Sequence, residues 1–122
     1  PATLREMITK SKTEFFRGSW IADYPDAENY LSLFYSKNHT PNGPNYTKYN
    51  NKQYDALYEK SLSNTSAIER AKIYAQMEQL IIQDAPVVVL YYDQILRFTQ
   101  KNVYNLRSNA MNMLNLKYVQ KK

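Results

Sequence analysis

The residues of this sequence with the most suggestive spacing are Ser19, Trp20, Ile21 and Asp23, in the run GSWIADYPD at 18–26. An alternating stretch ends beside an indole ring, and a carboxylate follows three residues after the ring. A strand edge at this point offers unpaired backbone N–H and C=O groups, with the ring as a wall and the carboxylate at the mouth. That arrangement suits an extended peptide pairing along the strand with its α-ammonium on Asp23. A plainer reading stands beside it. An aspartate before a Tyr-Pro-Asp turn can accept a backbone N–H two residues on and do nothing else.

Other chemistries find few residues. There is no cysteine, which excludes disulfides, thiol catalysis and cysteine zinc sites. The lone histidine, His39, lies in a loop rich in Pro, Asn and Gly and reads as solvent-exposed. A Ser-His-Asp triad would have to recruit it. Asp23, Asp26 and Glu28 do not have the spacing of a calcium loop. Asp23 with Asp26 is the one pair that a carboxylate hydrolase could use. Asn38, Asn45 and Asn64 each begin an N-x-S/T triplet, which matters only in a glycosylating pathway. The two glycines, Gly18 and Gly43, lie too far apart for a phosphate loop. No catalytic residue, metal ligand or cofactor is expected.

The 122 residues suit one domain or a piece of one. Twelve tyrosines supply much of the apolar content, and tyrosine favours half-wet surfaces and clefts. The net charge is +5, with basic residues scattered except for Lys117, Lys121 and Lys122. A basic surface attracts anions, and Tyr46-Thr47-Lys48-Tyr49 interleaves rings with charge as a nucleic-acid platform does. The same four residues fit a loop leading into a helix. No apolar run approaches the ~18 residues of a membrane span. A chain that starts on Pro1 gives the expectation of a piece excised from something longer.

The elements follow from periodicity. Residues 1–12 read as a helix, with Pro1 in its first turn and Leu4, Met7 and Ile8 as its stripe. Residues 13–20 alternate as a strand, Tyr24-Pro25-Asp26 turns, and Asp26 caps a short helix at 27–35. The polar stretch 36–50 is a loop. Asn50, with Gln53, caps a helix whose stripe is Tyr54, Leu57, Tyr58 and Leu62. Ser66 and Glu69 form a capping box for the longest helix, 67–83, with Ile73, Met77, Leu80 and Ile81 facing the core. Asp84-Ala85-Pro86 ends it. Residues 87–92 read as a buried strand, 94–99 as a second short strand and 114–119 as a last one, while 103–113 is ambiguous.

The order of these segments carries a resemblance. WIADYPDAENYL, an Asn-rich loop, YNNKQYDALYEKSL and AIERAKIYAQMEQLIIQDAPVVVLYY together resemble the C-terminal part of the extracellular solute-binding proteins of family 5. These are the oligopeptide- and dipeptide-binding components of bacterial ABC importers, and the likeness extends from about Leu4 to Val119. The Gly-Pro-Asn-Tyr loop and the Arg-Phe-Thr-Gln stretch look most like versions from Bacteroidetes.

The resemblance implies an α/β fold, the C-terminal part of a two-lobed periplasmic-binding-protein-like (type II) architecture with helices on a small mixed sheet. Residues 1–84 would belong to the second lobe, and 85–122 to the hinge crossing and the return toward a first lobe. It implies no enzyme activity. The Asp of W-x-x-D, here Asp23, would hold a peptide's α-ammonium. The backbone of Ser19, Trp20 and Ile21 would pair with the peptide main chain, and the Trp20 ring would line a side-chain pocket. The implied partners are a peptide and the permease subunits of the importer, outside the cytoplasm, on the periplasmic or cell-surface side. A membrane link would run only through an N-terminal lipid anchor outside this chain. Nucleic acid is not an implied partner. Alone, the chain is expected to bind peptides weakly or not at all and to be prone to dimerise through exposed sheet edges. The alternatives are a small basic nucleic-acid-binding domain and a family 5 binder of a non-peptide solute.

Overall fold

The computed structural model describes residues 2–109 and 112–122. Four helices run α1 Ala2–Thr9, α2 Glu28–Leu31, α3 Lys52–Ser63 and α4 Ala67–Asp84. Short 3₁₀ turns at Ser32–Phe34 and Ser36–Asn38 follow α2. One antiparallel pair, β1 Val103–Tyr104 with β2 Gln120–Lys121, completes a small α/β unit.

The long helices form where local chemistry marks them. Asn51, in extended conformation, accepts from the N–H groups of Gln53 and Tyr54 and so satisfies two orphan donors at the start of α3. The expected cap was Asn50, one residue earlier. Ser66 caps α4 by accepting from the Glu69 N–H at 3.4 Å. The reciprocal half of the expected capping box is absent: the Ser66 N–H donates to Asn64 Oδ1 at 2.9 Å, and Glu69 pairs with Lys72. Helix α4 ends at Asp84 because Ala85 turns left-handed (φ 47°) and Pro86 cannot continue it.

The core lies where α2, α3 and α4 meet. Leu31, Tyr54, Tyr58, Ile73 and Met77 are buried there, flanked by Phe34, Tyr35, Tyr49, Leu57, Tyr74, Leu80 and Ile81. The expected α4 face is the observed one. On α3 the stripe differs at its end: Leu62 is exposed and Ser61 takes the buried position, its hydroxyl bonded back to the Tyr58 carbonyl. Packing is aromatic, with Tyr54 edge-on to Tyr49 and Phe34 at centroid distances of 5.5 and 6.4 Å, and Tyr35 stacked on Tyr58 at 4.4 Å.

The loop 38–51 closes tightly on this core. Asn45 is fully buried and donates to the Tyr35 and Tyr49 carbonyls, both at 3.0 Å. A Cβ at Gly43 would fall 2.5 Å from the Asn38 carbonyl oxygen, so only glycine fits that turn.

The sheet departs from expectation. None of the stretches 13–20, 87–92, 94–99 and 114–119 is in a ladder among the described residues, and the helices pack on one another rather than on a mixed sheet. These stretches are irregular, with bends at 14–15 and 87 and a turn at 117–118, and largely exposed, Phe15 at 90% and Tyr92 at 89%. A strand exists only when a neighbour takes its N–H and C=O groups. These segments have the composition of buried strands and no ladder partner among the described residues; a side-chain bond, Arg17 Nη2 to the Tyr91 hydroxyl at 2.6 Å, links two of them. Helix α1 also stops at Thr9, short of Lys12, and its Leu4 and Met7 face solvent. The expected first-turn role of Pro1 lies outside the described residues.

Candidate functional site

The segment that carries Trp20 and Asp23 is anchored from below by α2. The helix expected over 27–35 is only Glu28–Leu31, and Ala27, not Asp26, is its N-cap, without a side-chain cap bond; Asp26 sits one residue earlier, where its Oδ1 accepts from the Glu28 N–H at 2.9 Å. Its other oxygen meets Arg70 Nη2 of α4 at 2.5 Å, and the Tyr74 hydroxyl lies 3.2 Å from Oδ1. Glu28 is buried and accepts hydrogen bonds from the hydroxyls of Tyr24 and Tyr58. The carbonyl of Leu31 accepts from the Tyr54 hydroxyl at 2.7 Å. One short helix is thus tied to both long ones.

These contacts shift ionisations. The Asp26 carboxyl is held below its ordinary range, first by the Glu28 backbone N–H, then by Arg70 and Tyr74 acting against burial. The hydrogen bond to Glu28 raises Tyr24. Burial, reinforced by Glu28, pushes Tyr58 far up. Across the core, burial and Asp84 push Tyr49 up to about 12.

A pH dependence follows from Asp26. A depressed folded-state pKa means that the group stabilises the fold above its unfolded value, near 3.8, and loses that contribution as pH falls through the folded value. Asp26→Asn is therefore expected to lower the thermal midpoint at neutral pH. The gap to wild type should close progressively below about pH 4. Thermal unfolding of both proteins across that range checks this, and a gap constant with pH would rule the linkage out.

Asn29 stands above this anchor. Its Oδ1 accepts from the Trp20 indole Nε1–H at 2.7 Å and from the Asp23 backbone N–H at 3.2 Å. Trp20 is half-buried, while Ser19, Ile21 and Asp23 are exposed. The Asp23 carboxylate has no hydrogen bond or ion pair among the described residues. The backbone of Ser19, Trp20 and Ile21 likewise makes no backbone hydrogen bond there. The structure thus brings Trp20 and Asp23 onto one acceptor and leaves an exposed carboxylate next to a backbone stretch unpaired among the described residues.

Other sequence candidates resolve differently. Asp26 is committed to Arg70, so a hydrolytic pair with Asp23 is not formed. His39 is half-buried, not solvent-exposed, with Nε2 2.9 Å from the Tyr49 carbonyl. The buried Asn45 is no glycosylation acceptor in this fold. The nucleic-acid platform dissolves: Tyr49 packs in the core, Thr47 bonds Asn45, and Lys48 donates to the Thr40 carbonyl. Among the described residues, no cluster of His, Cys, Asp or Glu could hold a metal, and no helix is long and apolar enough to cross a membrane. A shallow cleft lined by Asn105, Arg107, Ser108, Asn109, Asn115 and Tyr118 includes none of the site residues.

Sequence reasoning missed Asn29, Glu28 and Arg70. Asn29 and Glu28 sit in a helix of four residues, too short for a periodic signal. Arg70 lies four residues before Tyr74 on α4, and that spacing places both on one face.

No protein-family profile matches the sequence. Curated relatives do. The dipeptide-binding protein DppE of Bacillus subtilis is 26% identical over 110 residues, 90% of this chain and 20% of its own length. The probable deoxycholate-binding periplasmic protein YgiS of Escherichia coli is 33% identical over 87 residues, 71% of this chain and 16% of its own. The oligopeptide-binding protein OppA of Bacillus subtilis is 32% identical over 76 residues, 62% of this chain and 13% of its own. The chain therefore spans a fifth or less of the length of these relatives.

Proposed function

We propose that this chain is the C-terminal portion of an extracellular solute-binding protein of family 5, the ligand-binding component of a bacterial ABC importer, and that its ligand is a di- or oligopeptide. The observation that carries the reading is an exposed Asp23 carboxylate on a backbone tied, with the Trp20 indole, to one Asn29 oxygen, next to a stretch whose backbone is unpaired among the described residues. The names of the relatives, dipeptide- and oligopeptide-binding proteins among them, support the class. In this reading the peptide main chain pairs with the backbone of Ser19, Trp20 and Ile21. Such bonds are common to all peptides and tolerate many sequences. The α-ammonium meets Asp23, and the indole walls a side-chain pocket.

The reading assigns residues 1–84 to the second lobe and 85–122 to a hinge crossing and return. The abrupt stop of α4 at Ala85-Pro86, followed by chain without helix or strand up to residue 100, suits a crossing. The unpartnered apolar stretches suit strands whose neighbours belong to the rest of a longer protein, as does the small share of each relative that this chain spans. That protein would work outside the cytoplasm, held by a lipid anchor and delivering to permease subunits.

The test is a calorimetric titration of the longer protein with trialanine and with N-acetyl-trialanine. The free amine is expected to bind, and acetylation to weaken binding by about tenfold or more. Equal affinities would remove the ammonium from the reading. A second reading, a non-peptide solute, is favoured by the deoxycholate named for one relative. Binding of a bile acid with no response to either peptide would select it.

A further inference from the structure

Asn29 is only 3% exposed, yet both Trp20 and the exposed Asp23 hang from its side-chain oxygen. The indole Nε1–H and a backbone N–H are donors only. Both therefore need an acceptor, and the Asn29 carbonyl oxygen offers its two lone pairs to them. The backbone that carries this amide has little freedom. The residue lies in α2, the Asn29 N–H donates to the Asp26 carbonyl at 3.1 Å, and the Ser32 hydroxyl donates to the Asn29 carbonyl at 2.9 Å. The turn before it is ion-paired to Arg70, Glu28 just before it accepts from the Tyr58 hydroxyl, and the carbonyl of Leu31, two residues on, accepts from the Tyr54 hydroxyl. An acceptor on a held backbone thus sets the indole's rotation and the entry angle of the chain at Asp23.

We infer that Asn29 is the positioning residue of the ligand site: one buried amide oxygen holds the Trp20 ring and the Asp23 backbone in the geometry that receives a ligand. This rests on the reading that Trp20 and Asp23 face the ligand. A ring and a chain segment ordered beforehand do not have to be ordered when the ligand arrives, so affinity rises without any contact between Asn29 and the ligand.

The test uses Asn29→Leu, Asn29→Asp and Trp20→Phe. The first removes the acceptor and the second keeps it. The third removes the donor from the other side and serves if leucine at a buried polar position prevents folding. The sequence has a single tryptophan, so one indole N–H resonance reports the bond in the 122-residue chain. In Asn29→Leu that resonance is expected to move and to exchange faster with water, while in Asn29→Asp it stays protected. In the longer protein, Asn29→Leu is expected to weaken trialanine binding about tenfold, with Asn29→Asp weakened less. Adding Trp20→Phe to Asn29→Leu should cost less than the two single effects combined, because both remove one bond. An unmoved, equally protected indole resonance in Asn29→Leu overturns the inference, as does unchanged trialanine affinity in a variant whose resonance has moved. If wild type does not bind trialanine, the peptide reading falls, and the indole readout still decides whether Asn29 fixes Trp20.

Discussion

Replacing Tyr54 with alanine is expected to destabilise the helical unit by about 3–5 kcal/mol, the range for removing a large aromatic from a well-packed core. The ring is fully buried, edge-on to Tyr49 and Phe34, so its removal leaves a void that three helices cannot close without shifting. Tyr54→Phe keeps that packing and loses only the hydroxyl. The Leu31 carbonyl then lacks its 2.7 Å donor, a loss of about 1 kcal/mol. Urea unfolding followed by far-ultraviolet circular dichroism separates the two. A domain of ordinary stability has about 5–15 kcal/mol in all, so the alanine variant should lie near its folding limit and the phenylalanine variant should not. Equal midpoints would mean that the hydroxyl, not the ring, holds α2 in place.

That α2 depends on Tyr54 explains what the sequence made legible and what it did not. Helices α3 and α4 were readable because each carries its own signals: a cap, an apolar period and a stop. The cap of α3 was misplaced by one residue because Asn50 and Asn51 are chemically equal candidates. Only Asn51 also reaches Asp84, Nδ2 to Oδ2 at 2.8 Å, a contact that depends on where α4 ends. Strands carry no such local closure. Residues 87–92 have the β-branched run of a buried strand, but a strand needs a neighbour, and the four residues of β1 and β2 pair only with each other.

The candidate site's arrangement was partly legible for the same reason. Trp20 and Asp23 announce themselves by type and spacing. The committed state of Asp26 and the half-buried His39 depend on Arg70 and Tyr49, which lie 44 and 10 residues away in sequence. Asn29 was invisible because its work is done by a single oxygen toward two donors, with no pattern along the chain to mark it.

If the proposed reading holds, Asp23→Ala in the longer protein it implies is expected to weaken binding of a free-amine peptide by roughly tenfold to a hundredfold, the worth of a charge-assisted hydrogen bond in a cleft shielded from water. In this chain Asp23 is exposed, and an ion pair formed there in the open would be worth far less. On the proposed reading, the size of the loss therefore measures how completely a second lobe would remove water from the pair. Screening gives the same information: raising the salt concentration should weaken an open contact and leave an enclosed one nearly unchanged. Acetylating the peptide should mimic the mutation, and the two changes together should cost no more than either alone, since each deletes the same contact. Asp23→Asn should fall between, because it keeps an acceptor and loses the charge. If acetylation weakened binding equally in wild type and Asp23→Ala, the ammonium would be held elsewhere. Asp23 would then return to the plain role of a turn residue fixed through its N–H to Asn29.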